Sequence, residues 1–167
     1  MKKLYLFTFL LLVSNAFSQI VNIPDLNFKA YLVGNSAINT NADSEIQVSE
    51  AIAFTGTINC SNLNISNLSG IEEFINITTL RCNNNQLNTL DISYNEFLVF
   101  LDCSFNQITS LDVSQNIALR ELSCQSNQLT SLDVTQNSRL TNLYCGGNQL
   151  TSLFIKNNNQ YFLIKND

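Results

Sequence analysis

A period of 21 residues runs through most of the sequence and constrains its fold more than any other feature. Cysteines, asparagines and leucines recur at this spacing, and Cys60 precedes the next cysteine by 22 residues. The positions that share the period are Cys82, Cys103, Cys124 and Cys145; Asn85, Asn106, Asn127 and Asn148; Asn95, Asn116, Asn137 and Asn158; and Leu90, Leu111, Leu132 and Leu153. Such a chain repeats one supersecondary unit, and the units must stack because a single one cannot bury its apolar side chains.

Each period contains two copies of a shorter pattern. Residues 119–127 and 129–137 both read L-x-x-L-x-φ-x-x-N, where φ is cysteine or valine. The alternation within L-x-φ is typical of a short strand with one face inward. The closing asparagine predicts a corner, because its amide bonds backbone groups and it tolerates unusual backbone angles. The sequence therefore predicts about five flattened coils of about 21 residues, with a strand on each flat side.

The fragment LRELSCQSNQL, residues 119–129, resembles the leucine-rich repeat signature, with Cys124 in the place of its third leucine. Residues 64–80 resemble an internalin-type repeat, and the 21-residue form is similar to secreted or surface leucine-rich repeat proteins of the Bacteroidetes type. The resemblance implies a leucine-rich repeat solenoid of right-handed stacked coils with parallel β-strands and a small helical N-terminal cap. It also implies a binding or adhesive role.

The two ends of the chain differ from the repeats. Lys2 and Lys3 precede an apolar run at 4–13 and small residues at Ala16 and Ser18, which is the pattern of a secretory signal peptide. We therefore expect a secreted or cell-surface protein, with no later segment apolar enough to span a membrane. The predicted divisions are a signal peptide at 1–18, a helical cap at 19–56, repeats at 57–153, and a C-terminal cap or truncated end at 154–167.

Composition excludes several classes of function. The formal net charge of −5 and the sequence pI of about 4.5 argue against a nucleic-acid partner, which requires a basic face. The chain has no histidine, so Ser-His-Asp and Cys-His catalytic sites are excluded. No glycine-rich phosphate loop occurs either. We expect a protein that is not an enzyme and needs no cofactor, apart from weakly bound calcium considered below.

The five cysteines admit a redox site, a metal site, a disulfide ladder or plain packing. Equivalent cysteines on successive coils would lie about 4.8 Å apart, whereas a disulfide needs Cβ atoms about 3.8 Å apart. A straight row also supplies no tetrahedron of zinc ligands. Val113 and Val134 occupy the matching position in the other half-coil. Packing is the favoured interpretation, with buried and unreactive thiols.

The N-terminal cap contains a predicted helix and a loop that resembles an EF-hand. Pro24 and Asp25 indicate a helix start, and apolar residues at Leu26, Ala30 and Val33 follow at helical spacing. The loop at 39–50 matches part of the calcium-loop pattern, but Asn39 replaces the usual aspartate and Ser44 the usual glycine. A loop held by its own Asx turns is the favoured alternative to weak calcium binding. The candidate calcium ligands are Asn39, Asn41, Asp43, Glu45 and Glu50.

The two outward faces of the coils differ in the information that they carry. One repeats a single side chain, at Asp91, Asp112 and Asp133, and is expected to be a solvated edge. The other varies, and we expect it to contact an extracellular protein or glycan. Its candidate partner-binding residues are Arg81, Asp102, Phe105, Ser123 and Tyr144. The rival hypothesis is a non-binding structural or vestigial fragment of a longer surface protein.

Overall fold

The computed structural model describes residues 19–156 and the backbone of the strand at 163–165. The predicted signal peptide, Asn158 and most of the predicted C-terminal segment lie outside these residues. Two short helices precede the repeats, and one 3-10 turn, Ile71–Glu73, follows the first strand. The elements are α1 Leu26–Val33, α2 Val48–Ala53, β1 Thr57–Asn59, β2 Thr79–Arg81, β3 Phe100–Asp102, β4 Glu121–Ser123, β5 Ser131–Asp133, β6 Asn142–Tyr144, β7 Ser152–Phe154 and β8 Leu163–Lys165.

One parallel sheet of six strands runs the length of the coils, in the order β1-β2-β3-β4-β6-β8. Its register pairs Leu80 with Leu101 and Leu101 with Leu122, so these coils advance by 21 residues, as the repeat predicted. The central residue of each strand from β1 to β6 points inward and is buried. The predicted solenoid of about five stacked coils is confirmed, and the pairing of β8 with β6 continues the sheet beyond residue 153.

The opposite side of the coils is less regular than the repeat pattern predicted. Within the described residues only β5 and β7 pair there, whereas residues 89–91 and 110–112 form no strand. The prediction of a strand on both sides of every coil is therefore wrong. Asp112 accepts a hydrogen bond from the backbone N–H of Ser114, a local bond that competes with strand pairing. Asp133 makes the equivalent bond within β5, so the turn accounts for only part of the difference.

One asparagine ladder follows the six-stranded sheet and saturates its hydrogen bonds. The Nδ2 of Asn127 donates to the carbonyls of Cys103, Cys124 and Gln125, and its Oδ1 accepts from the N–H of Ile108. Each ladder asparagine thus joins its own coil to a neighbour. The members of this ladder are Asn85, Asn106, Asn127 and Asn148.

A second asparagine ladder, Asn95, Asn116 and Asn137, lies at the other corner and is only half satisfied. The Nδ2 of Asn137 donates to the carbonyls of Val113 and Asn116. The Oδ1 atoms of all three residues are buried with no hydrogen-bond partner among the described residues. Within the described residues, these three side chains therefore form hydrogen bonds only through their Nδ2 groups.

The cap attaches to the first coil through Asp25, the N-cap of α1. Its Oδ1 accepts from the N–H groups of Asn27 and Phe28 at 3.0 Å, and its Oδ2 from the N–H and Oγ of Ser66 at 2.8 and 2.9 Å. At the edge of β1, the hydroxyl of Tyr31 accepts the N–H of Asn59. The cap therefore covers a strand edge that would otherwise be open to pairing.

The apolar face of α1 differs from the predicted one. Phe28 and Leu32 are fully buried, whereas Leu26 is 81% exposed and Ala30 is also exposed. The starting point of the helix was predicted correctly, but its rotation was not. The Asp25 carboxylate accepts hydrogen bonds both from the first turn of α1 and from Ser66 in the first coil. Because one side chain makes both contacts, it restrains how α1 is rotated against that coil. No helix within the described residues is long and apolar enough to cross a membrane.

Candidate binding face of the six-stranded sheet

Four of the predicted partner-binding residues form one line across the sheet. The strand register places Arg81 beside Asp102, Asp102 beside Ser123, and Ser123 beside Tyr144. Arg81 is exposed and the other three are partly exposed. A cation, an anion, a hydroxyl and a phenol therefore succeed one another at the spacing of neighbouring strands, about 4.8 Å.

A second outward row, which the sequence reasoning missed, lies two residues earlier on each strand. It holds Thr79, Phe100, Glu121 and Asn142. The Arg81 guanidinium lies over the Phe100 ring, 4.3 Å from its centre, and the Nδ2 of Asn142 donates to Glu121. Side chains two residues apart on a strand lie on the same face, so Phe100 and Asp102 share the outward face. This row could therefore have been predicted from the sequence.

Two side chains of the sheet face are held in fixed orientations. A cation above an aromatic ring is attracted by the ring's electron-rich face, so Phe100 restrains Arg81. The Oδ1 of Asp102 accepts from the N–H of Ser104 at 3.1 Å and from its Oγ at 2.6 Å. Binding of a partner to these groups would therefore cost less side-chain conformational entropy than binding to unrestrained exposed side chains.

Phe105 lies at the corner that follows β3, in the left-handed region of backbone angles with φ +54°. Its N–H donates to the carbonyl of Gln125, which repeats the bond that Ser126 makes with Gly146 one coil further on. The corner geometry is thus imposed by the repeat. The same corner holds Asn62, Asn84, Ser126 and Gly147, with φ between +52° and +66°. A bulky residue is uncommon at such a position, which costs an L-residue roughly 1–2 kcal/mol.

The aspartate side presents one chemistry three times. The N–H groups of Ser93, Ser114 and Thr135 each donate to the carboxylate two residues earlier. These bonds lower the pKa of Asp91 and Asp133, with the backbone N–H of Ser93 or Thr135 as the largest cause. The carboxylates that hold these turns are Asp91, Asp112 and Asp133, and all are exposed.

The loop at 39–50 is held together by hydrogen bonds that its candidate ligands accept from other residues of the loop. The Oε1 of Glu50 accepts from the N–H and Oγ1 of Thr40 and from the N–H of Asn41, and its Oε2 accepts from the N–H of Gln47. The Oδ1 of Asp43 accepts from the N–H of Glu45. Burial acts to raise the pKa of Glu50, but its hydrogen bonds to Gln47, Thr40 and Asn41 outweigh burial and lower it.

The five predicted calcium ligands lie in one loop, and hydrogen bonds join several of them to one another. The Nζ of Lys29 donates to both carboxylate oxygens of Glu45 at 2.7 Å. The Oδ1 of Asn39 is buried and has no partner in the described part of the chain. No cluster of three or more cysteine or carboxylate side chains suited to a metal ion occurs in residues 19–156. This arrangement fits a loop held by Asx turns, and calcium binding stays a prediction.

The cysteines form an inward row beneath the sheet, as the packing interpretation predicted. All five are buried, and no disulfide joins any of them. The thiols of Cys60 and Cys103 donate to the carbonyls of Arg81 and Ser123 at 3.5 Å. Burial raises the pKa of the Cys60 and Cys103 thiols to about 12, which disfavours the reactive thiolate. The row is a structural component of the core.

Solved structures of bacterial repeat proteins share this architecture. The functional domain of InlJ from Listeria monocytogenes, which includes a cysteine ladder, matches with a TM-score of 0.69 and 36% identity, over 82% of this chain and 33% of its own length. An internalin, InlF, from the same organism matches with a TM-score of 0.59 and 19% identity, over 86% of this chain and 52% of its own length. The second likeness shows the fold alone.

No family model matches the chain, and no curated protein matches it. The chain spans about a third of the length of the InlJ structure and about half that of InlF. The observed coils, the cysteine row and these structural neighbours agree on one architecture. The protein is a leucine-rich repeat solenoid of about five turns, similar in structure to internalin-like proteins.

Proposed function

We propose that this protein is a secreted or cell-surface binding module that attaches to an extracellular protein through its six-stranded sheet. The observation that carries the proposal is the register of Arg81, Asp102, Ser123 and Tyr144 along one continuous face. Regular backbone with varied side chains is an arrangement that can recognise a particular partner. The repeated aspartates of the opposite side offer no comparable variety.

The chemistry of the face favours a protein as partner over a glycan. Arginine and aromatic residues dominate the energetics of protein interfaces, and this face combines Arg81, Phe100 and Tyr144 with Phe105 at its border. Arg81 and Asp102 are already restrained by Phe100 and Ser104, which lowers the entropy lost on docking. The leucine-rich repeat neighbours support a protein-interaction module of this kind.

The size of the face limits how tightly it can bind. Six strands at about 4.8 Å span about 25 Å, and each three-residue strand is about 10 Å long. The resulting area of about 250 Å² is well below the roughly 800 Å² per partner of a standard stable interface. Affinity would therefore depend on a few strong contacts or on several copies acting together.

A direct screen tests this proposal. The purified chain would be applied to an array of purified extracellular-matrix and cell-surface proteins and, in parallel, to a glycan array. We expect saturable binding to at least one protein, weakened at least tenfold by the paired substitutions Arg81→Ala and Tyr144→Ala. Binding confined to glycans would contradict the choice of partner, and binding to neither array would favour the non-binding fragment.

A further inference from the structure

We propose that Gln19 becomes the first residue of the mature chain and cyclises to pyroglutamate, so that the protein has a blocked N-terminus. This inference rests on the secreted location in the proposed function and adds a modification site to it. The predicted signal peptide ends with small residues at Ala16 and Ser18, and cleavage after Ser18 leaves Gln19 at the new terminus. A terminal glutamine can close an unstrained five-membered lactam with its own α-amine.

The ring closure needs no second reactant. The neutral α-amine nitrogen attacks the Cδ atom of the side-chain amide and forms the C–N bond of the ring. The bond from Cδ to the amide nitrogen then breaks, and that nitrogen takes a proton from the attacking amine and leaves as ammonia. The carbon keeps its oxidation level. The terminal positive charge is lost because the α-nitrogen has become an amide, as it does on N-terminal acetylation.

The structure leaves the reacting groups of Gln19 accessible. Gln19 is exposed, and neither its backbone nitrogen nor its side-chain amide forms a hydrogen bond within residues 19–156. Its carbonyl oxygen accepts the N–H of Val48 at 2.8 Å, and this oxygen takes no part in ring closure. The lactam can therefore form without breaking the hydrogen bond that attaches residue 19 to the cap.

The first residues of the mature chain are part of the cap, so their loss would weaken it. Ile20 forms an antiparallel bridge with Gln47, and Val21 donates its N–H to the same loop at 2.8 Å and is only 3% exposed. An aminopeptidase that removed Gln19 would leave the N–H of Val48 without its acceptor. Removal as far as Val21 would then take an apolar side chain out of the core.

A lactam at residue 19 protects this edge of the cap. Aminopeptidases bind the free α-amine of the residue that they remove, and pyroglutamate has no such amine. A secreted protein is exposed to the peptidases of its surroundings. The blocked terminus therefore keeps the bridge between Ile20 and Gln47 intact.

Gln19→Asn provides a matched control. Asparagine keeps the side-chain amide, and its backbone carbonyl can accept the same hydrogen bond from Val48. Its side chain is shorter by one methylene group, so attack by the α-amine would have to form a strained four-membered ring. The substitution therefore removes cyclisation while it keeps the amide and the backbone contact.

The experiment uses the full 167-residue chain, secreted from a bacterial host with its own N-terminal segment. Intact mass and tandem mass spectrometry would identify the first residue of the folded protein, before and after incubation with a purified glutaminyl cyclase. We expect a chain that starts at residue 19 and, after incubation, weighs one ammonia less than the uncyclised form. Gln19→Asn should start at the same residue and keep its free amine.

A purified aminopeptidase tests the protective role. We expect it to shorten Gln19→Asn at least tenfold faster than the cyclised protein. In the shortened product, the amide hydrogen of Val48 should exchange faster, because its acceptor has been removed. Equal rates of shortening for the two proteins would overturn the protective role.

The contrary results for the first residue separate this inference from the proposed function. A chain that starts at Gln19 and stays uncyclised in the presence of the cyclase would overturn the lactam alone, and the secreted location would stand. A chain cut at another bond, such as the one before Phe17, would overturn the lactam in the same way. A secreted fraction that lacks the protein, or a chain that keeps residues 1–18, would overturn both the lactam and the predicted signal peptide.

Discussion

The two sides of each coil begin from nearly the same half-repeat and become different structures. The cysteine side forms a sheet of six strands, and its corner asparagines use both the amide nitrogen and the oxygen. In the part of the chain that the structure describes, the opposite side pairs only β5 with β7, and its corner asparagines each have a buried oxygen without a hydrogen-bond partner. Both sides bury the same pattern of apolar residues. Hydrogen bonding, rather than apolar burial, therefore distinguishes the regular side from the irregular one.

This difference bears on function because recognition needs a rigid frame. On the cysteine side, strand pairing and a saturated ladder fix the positions of outward side chains that vary from coil to coil. On the other side the outward aspartates take part in turns within their own coil. The predictions below test this contrast, beginning with the largest expected effect.

Introducing a charge beneath the sheet should abolish folding. Cys124→Asp would bury a carboxylate at a fully buried position, and we expect no cooperative unfolding transition. Cys124→Val should change the free energy of unfolding by less than about 1.5 kcal/mol, because the two side chains have similar volumes. Circular dichroism would follow both variants. A folded Cys124→Asp variant, or disulfide-linked peptides from the native protein, would contradict the packing account.

The two asparagine ladders should differ in their response to truncation. Asn127→Ala leaves the buried N–H of Ile108 without an acceptor and should cost about 3 kcal/mol. Asn137→Ala should cost only about 1 kcal/mol. The carbonyls of Val113 and Asn116 would still accept hydrogen bonds from the N–H groups of Asn116 and Leu119, respectively. Urea denaturation of both variants would measure the difference. Equal costs would show that the two corners contribute alike.

Acid should release the cap before the repeats unfold. Burial acts to raise the pKa of Asp25, but hydrogen bonds from Ser66, Phe28 and Asn67 outweigh it and lower the folded-state pKa. The carboxylate therefore stabilises the native state above its unfolded pKa of about 3.9, and this contribution is lost as pH falls through the lower folded value.

Hydrogen exchange of α1 would detect the release of the cap as pH is lowered below about 4. Asp25→Asn should remove this pH dependence while lowering stability at neutral pH, since one of its two oxygens becomes an amide. Asp112→Asn, on the irregular side, is the matched control. A profile for Asp25→Asn that still follows the original chain would assign the acid effect to other carboxylates.

The smallest effect is expected from calcium. If the ion binds, it should do so in the loop at 39–50, with a dissociation constant of about 10⁻⁴–10⁻³ M, as in weak extracellular modules. A rise in melting temperature at several millimolar calcium should then disappear in Glu50→Gln and persist in the paired substitutions Asp112→Asn and Asp133→Asn. Absence of both heat and thermal shift in the original chain would identify the loop as purely structural.

The sequence predicted what depends on the period and missed what depends on contacts between unlike residues. The coil length, the inward cysteine row and the line from Arg81 to Tyr144 all follow from spacing. The burial of Phe28 in place of Leu26 depends on the attachment of Asp25 to Ser66, 41 residues away. The placement of Arg81 over Phe100 joins different coils. Neither contact leaves a signal within a single repeat.

The strain at Phe105 could be suspected from the sequence but not established. An alignment of the coils places this phenylalanine in a column with asparagine, serine and glycine, which indicates an unusual backbone angle. Only the structure shows that the angle is kept at +54° and that the ring remains exposed. Comparison of the coils thus indicates an unusual corner, and the structure gives its backbone angle and the exposure of Phe105.

The central claim, that a partner docks on the regular side, is tested most directly by a paired affinity measurement. The protein that binds most tightly in the array screen would be titrated by calorimetry against two double variants. We expect the Arg81→Ala and Tyr144→Ala variant to bind at least tenfold more weakly, a loss of about 1.4 kcal/mol. The Asp112→Ala and Asp133→Ala variant should retain the original affinity. Loss of binding in the aspartate variant alone would place the partner on the opposite side and contradict the account.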